Sequence, residues 1–284
     1  MLVPMGVMLK PAREAGYAVG AFDVNDLETA AGVLEAAIEK HSPVILAIPE
    51  WGPASALSMD ELFRSLAHYA AQLPVPVALN LDHGRSLSAV VRAIQAGATS
   101  VMLDASTLTD EQNVALTARA VEIGHWAGVT VEGEIGHVGQ GSEYASIDAD
   151  RNKLFTQPDQ AISFIEKTGV DALAVAVGTA HGQYVGTPRI DFDLLAELKA
   201  AVALPLVLHG GSSSGDENLH RASTLGVAKV NIYTDMAVEA RKRIAVMLAD
   251  KPDVPFMRLL KEAKSAFKEV SAHYMDVFGS TGRA

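Results

Sequence analysis

The sequence predicts an α/β fold: a closed (β/α)8 TIM barrel with an additional C-terminal helix, formed as one domain over residues 1–284. Three observations lead there. Eight short apolar runs rich in β-branched residues recur along the chain. They are continuously apolar rather than alternating, as strands buried on both faces of a parallel sheet are. Stretches with helical spacing of apolar side chains separate them, and no Pro- or Gly-rich linker divides the series. An open doubly wound sheet usually stops at about five or six strands, so eight strand–helix units favour closure into a barrel.

The runs are Tyr17–Phe22, Pro43–Ile48, Pro76–Leu81, Thr99–Leu103, Val129–Glu134, Ala172–Val177, Pro205–Leu208 and Val227–Ile232. The helix after the first run shows the helical period: Leu27, Ala30, Ala31, Leu34, Ala37 and Ile38 line one face. Asn25 with Glu28, Ser58 with Glu61 and Thr109 with Gln112 mark helix starts, each a short capping side chain ahead of one that can reach back. Pro158 suits the first turn of the helix before the sixth strand. The glycine-punctuated interval from Gly136 to Phe155 reads as a mobile active-site loop. Beyond the eighth strand, a helix near Asp235–Ala249 precedes a surplus one near Pro255–Phe278, a surface suited to a homodimer or homotetramer.

Composition narrows the function. At 49% hydrophobic and 20% charged, the chain can bury a large core. No apolar run approaches the ~20 residues that cross a bilayer, and Met1–Leu9 contains Pro4 with no charged segment ahead of it, so neither a membrane partner nor an export signal is expected. A formal charge of −11 repels phosphodiester backbones, which argues against nucleic acid as a partner. The absence of cysteine removes disulfides, thiolate metal sites and a thiol nucleophile together, and suits a cytoplasmic location. Any metal must rest on His, Asp or Glu.

In such barrels the chemistry sits at the C-terminal strand ends. Those positions hold Asp82 and His83 after strand three, Asp104 after strand four, Glu132 and Glu134 on strand five, His181 beyond strand six, His209 after strand seven and Asn231 on strand eight. Three of the nine histidines therefore converge on one rim. Three imidazoles with one open position form the ligand set of a catalytic zinc, because neutral nitrogen suits this ion and the vacancy admits substrate. The other six, His41, His68, His125, His137, His220 and His273, fall on helices or loops and receive no role. In "LPLVLHGGSSSGD", Gly210, Gly211 and Ser212 follow His209 and offer backbone N–H groups to an anion at the next helix N-terminus. Asn231 and Thr234 extend this phosphate corner from strand eight, and Gly182 lets backbone approach the same ligand.

"LNLDHG" (Leu79 to Gly84), "VEGEIG" (Val131 to Gly136), "VAVGTAHGQY" (Val175 to Tyr184), "LVLHGGSS" (Leu206 to Ser213) and "KVNIYTD" (Lys229 to Asp235) resemble the metal-dependent class II fructose/tagatose-bisphosphate aldolases, with a leaning toward the ketose-bisphosphate branch. The likeness runs from about Tyr17 to the C-terminal tail. It implies reversible retro-aldol cleavage of a ketose 1-phosphate or 1,6-bisphosphate to dihydroxyacetone phosphate and an aldehyde. It assigns Zn2+ to His83, His181 and His209, with Asp104 and Glu134 beside an alternative metal position and a second divalent or a monovalent cation as an option. Asp82 would shuttle the hydroxyl proton, and Gly182, Gly210, Gly211, Ser212, Asn231 and Thr234 would hold dihydroxyacetone phosphate. Adjacent strand residues face opposite ways, so Asp82 and His83 can both reach the site only if the strand ends there, a break that Gly84 makes easy.

Three features depart from the family pattern. "HVGQGSEY" places Ser142 where the family has a glutamate, which leaves Glu143 as the candidate base for the enediolate proton. Glu50 ends strand two, where it would repel a second phosphate, so the aldehyde is expected to be less charged than glyceraldehyde 3-phosphate. Tyr233 and Ser213 replace smaller residues in the phosphate corner. The alternatives are a degenerate aldolase-family subunit without catalysis, a zinc hydrolase on the same barrel, and a Schiff-base aldolase using Lys229, whose other reading is a lysine that helps to hold phosphate.

Overall fold

The structure, a computed structural model, describes residues 1–50, 58–143, 154–185 and 188–284, with Glu143 described by its backbone alone. Eight parallel strands close in sequence order into a barrel, each paired with the next and the first with the last. They are β1 (Val19–Asp23), β2 (Val44–Pro49), β3 (Val77–Gly84), β4 (Ser100–Leu103), β5 (Thr130–Ile135), β6 (Ala172–Val175), β7 (Leu206–Leu208) and β8 (Val227–Ile232). The described helices are α1 (Gly6–Ala15), α2 (Leu27–Lys40), α3 (Met59–Ala70), α4 (Leu87–Ala96), α5 (Asp110–Ala127), α6 (Pro158–Thr168), α7 (Phe192–Ala201), α8 (Asp216–Thr224), α9 (Thr234–Asp250) and α10 (Phe256–Phe278). No described helix is long and apolar enough to cross a membrane.

Local chemistry explains the helix starts. Ser58 with Glu61 and Thr109 with Gln112 form reciprocal capping boxes, and Pro158 opens α6. The cap of α2 differs from the expected one: Asp26, not Asn25, accepts from the Thr29 amide at 2.8 Å. Asn25 is engaged elsewhere, donating through Nδ2 to the Tyr233 hydroxyl at 2.9 Å.

The barrel interior changes character from floor to mouth. At the floor, Met5 and Leu9 of α1 pack against inward-facing Ala21, Ala78, Ala174 and Val207. This helix escaped the sequence reading because Pro4, Pro11 and Lys10 interrupt its apolar pattern. Its first amides, of Met5 and Gly6, donate to the Ser100 and Thr130 hydroxyls at 2.9 and 3.0 Å. Because side chains alternate along a strand, the inward series on β3 continues from Ala78 through Asn80 to Asp82, and polarity rises toward the mouth.

The additional C-terminal helix is present. α10 buries Ala266, Phe267, Tyr274, Met275 and Phe278 within the chain, against the barrel. Its backbone approaches α2 so closely that a Cβ on Gly32 would meet the Lys264 carbonyl oxygen at 2.5 Å. α9 is the helix displaced outward, burying only Met236 and Ala240.

Candidate metal and active site

A cavity of about 560 Å³ opens at the C-terminal mouth of the barrel, lined on one side by Asp23, Asp82 and Arg85 and on the other by Gly182, Gly210 and Ser212. His83, His181, Asp104, Glu134, Asn231 and Thr234 complete most of its wall. Of the residues expected from the sequence to bind metal or phosphate, the fully buried His209 lies outside this lining, and so does Gly211. Its amide donates to the Asn231 carbonyl at 3.1 Å, and a Cβ there would stand 2.5 Å from Val230 Cγ1. The position is a packing requirement, and the expectation that its N–H faces an anion is corrected. Gly210, by contrast, takes a left-handed φ of 66°, and a Cβ would fall 2.4 Å from the Ala180 carbonyl oxygen.

His83 reaches the cavity beside Asp82 because β3 breaks. The break falls at His83, as expected: His83 has φ 47°, and the β3–β4 register shifts between Leu81 and Gly84. A left-handed non-glycine costs about 1–3 kcal/mol, and bulges of this kind gather beside active sites, where they re-aim a side chain. Gly84 is needed for space, since a Cβ would lie 2.7 Å from Leu81 Cδ2 and 2.8 Å from the Met102 carbonyl oxygen.

Carboxylates orient two of the three imidazoles. His83 Nδ1 donates to Asp104 Oδ2 at 2.7 Å, and His209 Nε2 donates to Glu132 Oε1 at 2.9 Å. A carboxylate only accepts, so each contact leaves the opposite ring nitrogen free for the histidine cluster. The buried nitrogens His209 Nδ1 and His181 Nε2 have no hydrogen-bond partner, nor has Glu134 Oε2, which lies 3.9 Å from His209 Nε2. One ligand atom from each of His83, His181 and His209 lies within 4.8 Å of the others, and the same holds for His83, Asp104 and Glu134. Zinc–nitrogen bonds of ~2.1 Å imply tetrahedral edges of roughly 3.4 Å, a spacing that small side-chain rotations reach. Buried, unpartnered nitrogens converging at this spacing fit a divalent cation.

The electrostatics push neighbouring groups apart. Burial opposes ionisation of Asp82, but the His83 and His209 imidazoles, Lys229 and a 2.9 Å hydrogen bond from Asn231 Nδ2 outweigh it and hold its pKa below the ordinary value. Burial and the adjacent Asp82 charge push Asp23 well above it. His83 rises to about 10, because Asp82, Asp104 and Glu134 overcome its burial. His181 falls to about 3 through burial and the charges of the other two imidazoles. Asp23 ends β1 on the rim, one residue beyond the apolar run Tyr17–Phe22, so apolar patterning alone does not reveal it.

Below this layer Glu132 Oε2 accepts from Lys229 Nζ at 2.6 Å, both residues fully buried. Lys229 does not line the cavity, so it neither holds phosphate nor presents a free amine. Glu132 belongs to this deeper layer, not the rim. Glu50 is absent from the cavity lining as well; its Oε2 accepts from the Arg85 amide at 2.7 Å.

The remaining loops are tied together. Ser212 Oγ accepts from the Tyr233 and Asp235 amides at 3.2 and 3.4 Å, which leaves its own hydrogen to donate. Ser213 keeps a left-handed φ of 60°, and Asp235 holds it through the Ser213 amide at 2.7 Å and hydroxyl at 2.6 Å. The Tyr184 hydroxyl accepts from the Ala180 amide at 2.7 Å and donates to the Gly210 carbonyl at 2.9 Å, joining the sixth and seventh loops. Gln140 forms a bridge with His181, and a 3-10 turn over Gly141–Glu143 follows. Residues 144–153 of the expected mobile loop lie outside the described residues.

A family model described as class II fructose-bisphosphate aldolase matches residues 3–283. The chain is 40% identical to a probable fructose-bisphosphate aldolase of Bacillus subtilis over 290 residues, spanning 100% of this chain and 99% of that protein. It is also 40% identical to a fructose-bisphosphate aldolase of Thermus caldophilus over 308 residues, covering all of both. The crystal structure of the YdjI aldolase from Escherichia coli K12 superposes with a TM-score of 0.88 at 35% identity, covering 100% of each chain.

Proposed function

Since the chain belongs to the class II fructose-bisphosphate aldolase family, we propose that it catalyses reversible retro-aldol cleavage of a ketose 1-phosphate or 1,6-bisphosphate to dihydroxyacetone phosphate and an aldehyde. The observation that carries this reading is the convergence of three imidazole nitrogens, two of them buried without partners, beside an ionised Asp82. His83, His181 and His209 would hold Zn2+, with His83, Asp104 and Glu134 as an alternative position. A bound cation of this kind supplies Lewis-acid stabilisation of the charge that develops on the substrate ketone oxygen as the carbon–carbon bond breaks.

The chain's own groups do the rest. Asp82, buried and kept ionised, takes the proton of the hydroxyl next to the breaking bond and returns it during condensation. Gly182, Gly210, Ser212 and Thr234 position the phosphate, with the free hydrogen of the Ser212 hydroxyl as one donor. Asn231 acts by orienting Asp82. Glu143, in the turn beside the Gln140–His181 bridge, is the candidate that exchanges the carbon-bound proton. The enzyme is a cytoplasmic homodimer or homotetramer.

The test is condensation of dihydroxyacetone phosphate with a panel of aldehydes, with and without EDTA. Activity that EDTA abolishes and Zn2+ restores is the expected result; no product with any aldehyde would refute the reading, and a non-catalytic subunit would also show no deuterium exchange into dihydroxyacetone phosphate. A second expectation concerns pH. With a pKa of about 10, His83 carries a proton at neutral pH that an incoming cation must displace. Zinc affinity therefore rises with pH, about tenfold per unit for one displaced proton. Competition titration against a chelator between about pH 6 and 8 checks this, and a flat profile contradicts it.

A further inference from the structure

We propose that Arg85 recognises the far end of the aldehyde fragment and that this end is anionic, a phosphate or a carboxylate. This rests on the retro-aldol reading and adds to it a specificity-determining residue.

Topology gives the direction. In a closed barrel of eight strands, β3 lies opposite β7 and β4 opposite β8. A substrate anchored at Gly210 and Ser212 and crossing the histidine cluster past Asp82 therefore extends toward the wall formed by β1 to β4. Arg85 follows β3 directly and lines that wall.

Charge gives the chemistry. Asp23, Asp82, Asp104 and Glu134 all line the cavity, and Arg85 is the only lysine or arginine among its described lining residues. Despite these acids, the Arg85 guanidinium makes no hydrogen bond or ion pair among the described residues, while its backbone amide is fixed by Glu50 at 2.7 Å. Glu50, which the sequence placed against a charged aldehyde, is thus turned to holding the loop that presents the cation. On this reading the sign of the expectation is reversed. A guanidinium fork matches the paired oxygens of phosphate or carboxylate, and an anion entering this acidic mouth needs such a partner. Nearer the metal cluster, Asp23 offers a shielded, unpartnered Oδ1 to a substrate hydroxyl. The wall as a whole suits a hydroxylated aldehyde with an anionic terminus.

The experiment compares kcat/KM for condensation of dihydroxyacetone phosphate with glyceraldehyde 3-phosphate, tartronate semialdehyde and glyceraldehyde in the wild type, R85Q and R85K. The ratio of anionic to neutral aldehyde is expected to fall about 10- to 100-fold in R85Q, the loss of a charge-assisted hydrogen bond, and to recover in part in R85K. A fall confined to the phosphate or the carboxylate arm identifies which anion is bound. A ratio that R85Q leaves unchanged for both anions overturns the inference while the aldolase reading stands. Should the wild type condense no aldehyde, the aldolase reading fails alone, and calorimetric titration with unreactive 3-phosphoglycerate decides the inference. A dissociation constant about tenfold weaker in R85Q supports it, and an equal one overturns it.

Discussion

Replacing Asp82 by asparagine lowers the rate of carbon–carbon cleavage by ~10²–10⁴, the range that a positioned general base contributes. Asparagine keeps an oxygen to accept the 2.9 Å hydrogen bond from Asn231 but cannot take up a proton at neutral pH. The loss should therefore appear in kcat, with zinc stoichiometry preserved. Exchange of the carbon-bound proton of dihydroxyacetone phosphate should continue, because Asp82 acts on the hydroxyl of the other fragment. Glu143→Gln should show the converse: exchange lost and zinc retained. Steady-state cleavage together with deuterium exchange followed by NMR separates the two. An Asp82→Asn variant that cleaves at the wild-type rate refutes the assigned role.

Lys229→Met should destabilise the metal-free protein by about 3–5 kcal/mol, the usual result of removing one member of a buried ion pair. The side chains of Lys229 and Glu132 are 2.6 Å apart and fully buried, so the variant leaves a carboxylate in the barrel interior without its counter-charge. Burial then raises the pKa of Glu132, which Lys229 and His209 now hold down. A protonated Glu132 orients His209 less well, and zinc binding should weaken by about 10- to 100-fold. Combining Lys229→Met with Glu132→Gln should recover much of the stability, since the amide remains polar but carries no charge. Denaturant unfolding with chelator present measures this free of metal linkage. A single variant as stable as the wild type contradicts the account.

These two residues show where sequence reasoning reached and where it stopped. Asp82, His83, His181 and His209 were legible because each follows an apolar run, and the barrel rule places every such position on one rim. Asp23 obeys the same rule and was passed over by one residue of strand length. Lys229 shares a strand face with Asn231, which suggested a role in the cavity, yet the two differ in depth. Spacing along a strand records the face and leaves open which layer lies under the mouth. Glu50 shows the same limit in another form: a carboxylate at a strand end suggested repulsion of anions, but its contact is the Arg85 amide.

The closed barrel, the helix starts at Ser58, Thr109 and Pro158, and the convergence of the histidines are all readable from the linear chain. All of these follow from periodicity and local hydrogen bonding, which act over a few residues, plus one topological rule. Folding in three dimensions was needed to show that the Gly211 amide belongs to Asn231, that α10 packs against the barrel while α9 lies outside it, and that Arg85 rather than Glu50 meets the cavity. Those outcomes depend on which polar group is nearest after loops distant in sequence have been brought together. Hydrogen bonds and ion pairs fall away within a few ångströms, so their partners exist only once the barrel has closed.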